Sequence, residues 1–157
     1  MIFDDRNEFA DAVSVAAVAG TALIGDVIDL GSVHRDIGAG EDLFVVITVD
    51  TEIFTAGAAG TVKFQVVSDA QAAIATDGSA TVHADTGNFV TGAAGSQAKL
   101  KAGKVLMLIR LPNEGQVYEE FLGILCITAT TTTTSGKINA FLTLDPQSLL
   151  LYKEGIN

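Results

Sequence analysis

From Val27 onward, the chain is a series of short runs of β-branched and aromatic residues with turn residues between them. The run 43–49 is almost continuously apolar, which is typical of a buried central strand. In residues 61–67 apolar and polar side chains alternate, as in a strand with one solvated face. Further runs of strand type are residues 27–30, 80–83, 87–90, 121–128, 137–144 and 149–152. About eight short strands predict an all-β domain, and the candidate architectures are a β-sandwich, a jelly roll and a small barrel.

One pair of runs has the pattern of a hairpin. Residues 98–101 and 104–111 flank Ala102 and Gly103. Glycine adopts the positive φ that a two-residue hairpin turn requires. We therefore expect these two runs to pair with each other.

The first 25 residues differ from the rest of the chain and do not have a strand pattern. Phe3 and Phe9 flank a charged cluster, and a stretch rich in Ala and Val follows. Residues 11–19 fit a short helix with Asp11 as its N-cap. They fit equally an extended arm that becomes ordered against a neighbouring protein. We therefore divide the chain into an N-terminal arm, residues 1–25, and a β domain, residues 26–157.

The composition bounds the class of partner. The chain has 157 residues, a net charge of −10 and a pI of about 4.3. Such acidity disfavours nucleic acid as a partner, because phosphate binding needs clustered Lys and Arg. No apolar run approaches the ~20 residues of a membrane span. Cys126 is the only cysteine, so an intrachain disulfide is impossible, and its apolar surroundings predict a buried thiol.

Charge is distributed unevenly along the chain. Residues 1–50 contain ten acidic and two basic side chains. Four bases of the later part lie in one short stretch, and they are Lys99, Lys101, Lys104 and Arg110. These two regions could pair head-to-tail between copies, or they could simply form a solvated face. Residues 56–60 and 91–95 are similar Ala/Gly segments, which we interpret as flexible connections, and the Thr run 130–134 fits an exposed loop or strand extension.

The sequence contains little that indicates catalysis. His34 and His83 are far apart and have no metal-ligand spacing, and a G-x-S-x-G motif is absent. A glycosidase pair made of Asp36 with Glu41 or Asp42 remains open, but the chain has no Trp and two Tyr to stack against sugar rings. We expect a protein without enzymatic activity, and without a cofactor or a metal ion.

A segment near the start of the β domain resembles a known family. The matching residues are Ile28-Asp29-Leu30-Gly31, Arg35-Asp36-Ile37-Gly38, Gly40-Glu41-Asp42-Leu43 and Val49-Asp50. In order and spacing they resemble the capsid cement, or decoration, proteins of tailed bacteriophages, of the kind found in a Bordetella podophage. Weaker matches, which include residues 108–112 and Tyr152, extend over most of the chain.

The resemblance implies a jelly-roll-like β-sandwich on the outer surface of an icosahedral head. Such a protein is made in the host cytoplasm, binds the major capsid protein and clamps its neighbouring subunits as a homodimer or homotrimer. The candidate contact residues are Arg35, Asp36, Glu41, Asp42, Phe3 and Phe9. Arg35 and Asp36 could instead form a salt bridge that fixes their own loop. The alternative function is that of a carbohydrate- or receptor-binding jelly-roll module, which the fold class alone would support.

Overall fold

The computed structural model describes residues 5–31, 41–92 and 98–146. These residues form nine strands in two antiparallel sheets and two short 3₁₀ turns, Asp5–Asn7 and Ala98–Leu100. The strands are β1 (Glu8–Ser14), β2 (Gly20–Asp29), β3 (Phe44–Phe54), β4 (Gly60–Asp69), β5 (Thr81–Asp85), β6 (Phe89–Thr91), β7 (Val105–Arg110), β8 (Phe121–Ala129) and β9 (Ser135–Thr143).

The strand order is that of a jelly roll. The first sheet has the order β1-β9-β3-β7, and the second has the order β2-β8-β4-β5, with β6 also paired to β4. Thus β1 pairs with β9, β2 with β8, β3 with β7 and β4 with β6, so the chain is one long antiparallel ribbon folded back at β4. Rolling up this ribbon brings β3 against β9 and β4 against β8. The predicted all-β, jelly-roll-like sandwich is confirmed.

The core lies between the two sheets and is built by alternation along the central strands. Every second residue of β3 and β4 points inward and is buried: Val45, Ile47 and Val49 from β3, and Val62, Phe64 and Val66 from β4. Burying a side chain of this size contributes about 1.5–3 kcal/mol, which makes these positions the main source of stability.

The outer face of the second sheet is partly covered by the chain itself. The β4–β5 connection, residues 70–80, packs Ile74 onto this face beside Val67 and Leu125. A Cβ at Gly123 would lie 2.5 Å from Cδ1 of Ile74, so the glycine leaves the space that Ile74 occupies. The carboxylate of Asp69 accepts backbone N–H groups of this connection, which holds it in place.

The expectation that the first 25 residues contain no strand is wrong. They contain β1 and the first part of β2, and the expected boundary at residue 25 falls inside β2. Both strands are irregular: β1 has register shifts around Ala12, whose φ is 49°, and β2 has one between Ile24 and Ile28. A bulge interrupts the alternation of inward and outward side chains, which is why no strand pattern was visible.

The expected hairpin at residues 98–111 is also wrong. Ala98–Leu100 is a 3₁₀ turn whose Leu100 is completely buried in the core, and β7 pairs with β3 instead. Gly103 does make a turn, with a φ of 79°, and its N–H donates to the carbonyl of Val49 on β3 at 2.8 Å. The burial of Leu100 therefore outweighs the local hairpin signal. The expected edge strand at residues 149–152 lies outside the described residues.

Candidate functional site

The jelly roll brings four connections to one end of the sandwich. They are β1–β2 (residues 15–19), β3–β4 (55–59), the described part of β6–β7 (92 and 98–104) and β8–β9 (130–134). The registers Phe54 with Ser135 and Gly20 with Thr128 place these strand termini side by side. Because the connections consist mainly of Ala, Gly and Thr, we name this surface the small-residue end.

The two ends of the sandwich carry opposite charge. The described segments at the other end are residues 30–31, 41–43, 70–80 and 111–120, and they contain six acidic side chains and no basic one. We name it the acidic end. The four connections of the small-residue end contain no acidic side chain and three lysines, Lys99, Lys101 and Lys104. The lysine stretch and most of the acidic loops therefore lie at opposite ends of the molecule.

Hydrogen bonds tie the connections of the small-residue end to one another. They run from Thr133 N to Ala17 O (2.9 Å), from Thr134 N to Phe54 O (3.0 Å), from Ala56 N to Thr134 Oγ1 (3.0 Å) and between Thr55 Oγ1 and Thr91 Oγ1 (2.7 Å). Residues 56–60, which the sequence suggested to be a flexible connection, are thus tied to Thr134 at Ala56 and to Thr91 at Gly60. Two of the threonines in the run 130–134 serve as structural ties.

The small-residue end has an exposed apolar side chain, Val18, and a buried hydroxyl without a hydrogen-bond partner among the described residues, that of Thr133. The side chain of Val18 is 73% exposed at the tip of the β1–β2 connection, and a depression lined by residues 14–24 and Thr128 lies beside it. The hydroxyl of Thr133 is buried, and within the part of the chain that the structure describes it has no hydrogen-bond partner. An unsatisfied buried hydroxyl lowers the stability of the fold by about 1–3 kcal/mol.

A polar cluster anchors the β7–β8 connection near the acidic end. The imidazole of His83 on β5 stacks on the ring of Tyr118, and its Nε2 lies 2.8 Å from Oγ of Ser68 on β4. Ser68 Oγ also accepts the backbone N–H of Glu119 at 3.1 Å, and a carboxylate oxygen of Glu119 accepts the hydroxyl of Thr81 at 2.7 Å. The cluster joins β4 and β5 to the connection.

Burial shifts the pKa values of two members of this cluster. It lowers the pKa of His83, against the opposing effect of the Glu119 carboxylate, and it raises the pKa of Tyr118 to about 12. A neutral imidazole whose Nε2 carries no proton can accept a hydrogen bond there from the Ser68 hydroxyl. Ser68 is completely buried and already binds a backbone N–H, so its hydroxyl acts as a tie and is not accessible to a substrate. No spacing in the sequence marked His83, because its partners are 15 and 35 residues away along the chain.

The structure separates the predicted contact residues. Phe3, Arg35 and Asp36 lie outside the described residues, so the proposed Arg35–Asp36 salt bridge stays a prediction. Phe9 is 1% exposed and belongs to the core, so it is not a surface residue.

Glu41 and Asp42 are both exposed at the acidic end. Asp42 Oδ1 lies 2.9 Å from Nε of Arg110, and the backbone of Arg110 pairs with Phe44, so this ion pair links the start of β3 to the end of β7. Among the described residues, no group of His, Cys, Asp or Glu side chains has the arrangement of a metal site. Within the same residues, no helix is long and apolar enough to cross a membrane.

A protein-family model matches most of the chain. The model of the family Bbp16, whose name suggests a Bordetella phage protein, matches residues 9–142. No curated protein matches the chain. The matched region begins in β1 and ends in β9, so it covers almost the whole jelly roll.

Proposed function

This chain belongs to the Bbp16 family of phage proteins, and we propose that it is a cement protein, which binds the outer surface of an icosahedral phage head and clamps neighbouring major capsid subunits. The family match over residues 9–142 is the observation that carries the proposal. The protein acts as a homodimer or homotrimer, so that each assembly bridges more than one capsid subunit. It forms part of the virion.

The location of the resembling segment supports this proposal. Ile28 and Asp29 end β2 in the second sheet, while Val49 and Asp50 lie in β3 of the first sheet. The described parts of the segment therefore lie in both sheets. A jelly roll alone does not carry a function, because the same fold serves many unrelated ones. The resembling residues lie within the region that the family model matches, and this match, not the fold, supports a role in a phage particle.

The proposed role involves no reaction. The cluster that most resembles a catalytic group, Ser68 with His83, is used to hold the β7–β8 connection to the second sheet. A structural clamp needs a rigid surface and a stable core. The two sheets and the hydrogen-bonded connections between their strands supply both.

Binding to shells tests the proposal directly. Purified protein is added to expanded shells from a phage that lacks its gene, and bound protein is measured by sedimentation and gel densitometry. We expect saturable binding at a fixed copy number per shell, and electron microscopy should locate the added mass on the outer surface. Absence of co-sedimentation, or mass located inside the shell, would refute a cement role. Competable binding to a glycan array instead would favour the receptor-binding alternative.

A further inference from the structure

We infer that the small-residue end is the surface that docks on the shell protein, with the acidic end directed away from the shell. This inference rests on the proposed cement function and adds to it the orientation of the molecule. The partner that fits is a protein surface that is mainly uncharged where it meets the Ala, Gly and Thr connections. It offers carboxylates opposite Lys99 and Lys101, both of which are exposed.

The cost of removing charge from water favours this end. Burial of an ion without a well-placed partner costs several kcal/mol, and the centres of protein interfaces are depleted of charged residues. The acidic end would bring the six carboxylates of its described connecting segments towards the contact. The four connections of the small-residue end contain no carboxylate, so a partner can cover them without an unpaired anion.

The connections at the small-residue end are also prepared for binding. Ala and Gly have no side-chain rotamers, so covering them costs no side-chain conformational entropy. The hydrogen bonds from Thr133 to Ala17 and from Ala56 to Thr134 fix the β1–β2, β3–β4 and β8–β9 connections relative to each other. Because these three connections are already ordered, binding loses little of their conformational entropy.

An apolar side chain lies on this surface. Val18 is 73% exposed between two alanines, so a partner that covers this end would bury it. Thr133 lies in the same layer, because its N–H binds the carbonyl of Ala17, and its buried hydroxyl has no partner among the described residues.

The lysines set the border of the proposed contact. Lys101 pairs with Glu52 on β3, and Lys99 lies two residues before it in the same connection. Charges at the rim of an interface change the association rate and its salt dependence more than the affinity itself. We therefore expect shell binding to slow as the salt concentration rises.

Two matched valines provide the test. Val18 at the small-residue end and Val117 in the β7–β8 connection at the acidic end are 73% and 69% exposed. The variants Val18→Asp and Val117→Asp introduce the same charge at similar exposure, and thermal unfolding should show that both fold as the wild type does. In the shell-sedimentation assay, we expect Val18→Asp to weaken binding about tenfold or more, and Val117→Asp to stay within about twofold of wild type.

A second pair of variants separates local contact from overall charge. Lys99→Glu makes the protein more acidic, and Glu114→Lys in the β7–β8 connection makes it less acidic. If net charge alone governed binding, the two changes would have opposite effects of similar size. The inference requires that Lys99→Glu slows association and that Glu114→Lys leaves it close to wild type.

The outcomes distinguish this inference from the proposed function. Wild-type protein that does not bind shells refutes the cement role itself. Binding that is lost in Val117→Asp and kept in Val18→Asp shows that the acidic end docks, and binding kept in both variants shows that neither tip is the contact. If Val18→Asp changes the oligomeric state in analytical ultracentrifugation but not shell binding, a second copy occupies the small-residue end, and the inference is wrong.

Discussion

The imidazole ring of His83 lies flat on the phenol ring of Tyr118, with the ring centroids 3.9 Å apart and the planes inclined by 16°. His83 belongs to β5, whereas Tyr118 belongs to the connection that leads from the first sheet to the second. The Tyr118 hydroxyl also donates to the carbonyl of Pro112 within that connection, at 2.9 Å. One ring therefore fixes the shape of the connection and its attachment to the sheet edge.

The burial of His83 makes stability depend on pH. Burial holds the folded-state pKa of His83 below that of the unfolded chain, although the Glu119 carboxylate partly opposes the shift. The unfolded state therefore takes up the proton more readily. The resulting stabilisation is complete above a pH of about 6.5 and is lost as the pH falls through the folded-state pKa of His83.

We expect the free energy of unfolding, measured with urea, to decrease from about pH 7.5 to about pH 5. His83→Phe, which retains a ring against Tyr118, should remove part of this decrease. Tyr118→Phe keeps the imidazole and serves as the control that should retain the decrease. An unchanged pH dependence in His83→Phe would show that other groups cause it.

The close approach of β1 to β2 predicts a glycine requirement. A Cβ at Gly25, whose φ is 66°, would lie 1.9 Å from the carbonyl oxygen of Phe9. Gly25→Ala must therefore move backbone in addition to adopting an unfavourable φ, and we expect a loss of about 3 kcal/mol in unfolding free energy. Gly92→Ala is the control, since only the Cβ of Ala59, at 4.0 Å, lies near its added methyl group. Equal stability of the two variants would mean that the strands do not approach in this way.

The burial of Phe9 predicts a core phenotype. Phe9→Ala removes most of a large side chain that is 1% exposed, so we expect a loss of about 3–5 kcal/mol in unfolding free energy. Chemical denaturation of the purified protein measures it. A stable Phe9→Ala protein with weakened shell binding would restore the sequence-based interpretation of Phe9 as a contact residue.

The ion pair between Asp42 and Arg110 should contribute little. Both side chains are about half exposed, at 57% and 51%, and water screens such pairs. We expect Asp42→Asn to change the free energy of unfolding by no more than about 0.5 kcal/mol. A loss well above that, measured by the same denaturation experiment, would indicate that Asp42 makes stabilising contacts in addition to this ion pair.

The thiol of Cys126 should be unreactive in the folded protein. Burial raises its pKa to about 11, against a weaker effect of the Thr128 hydroxyl, and the side chain faces the core. Because the thiolate is the reactive form, a disulfide reagent at a pH of about 8 should label it slowly in the native state and rapidly in urea. Fast native labelling would indicate that β8 opens locally.

The regular central strands could be predicted from the sequence because alternation alone defines them. Val62, Phe64 and Val66 enter the core as the pattern of residues 61–67 indicates, and Cys126 is buried as its apolar neighbours suggested. β1 was not predictable in this way, because the bulge at Ala12 shifts the inward positions within a strand of seven residues. Leu100 was assigned to a hairpin because periodicity does not reveal that a single leucine fills the core from a 3₁₀ turn.

The candidate surface depends on topology more than on any motif. The Ala/Gly connections and the Thr run are separated by tens of residues, and the sequence does not indicate that they meet. They meet because the ribbon is rolled, so that β3 ends beside the start of β9 and β2 begins beside the end of β8. The same rolling places His83 next to Tyr118.

The pairing of β1 with β9 also determines when the protein can fold. Glu8 pairs with Phe141, so the first sheet cannot be completed until nearly the whole chain has left the ribosome. Closing such long loops makes folding slow compared with that of proteins built from local contacts. During synthesis the unpaired early strands remain open to aggregation or to chaperones. Pairing of β1 with β9 is therefore a late step of folding, which follows the synthesis of both strands.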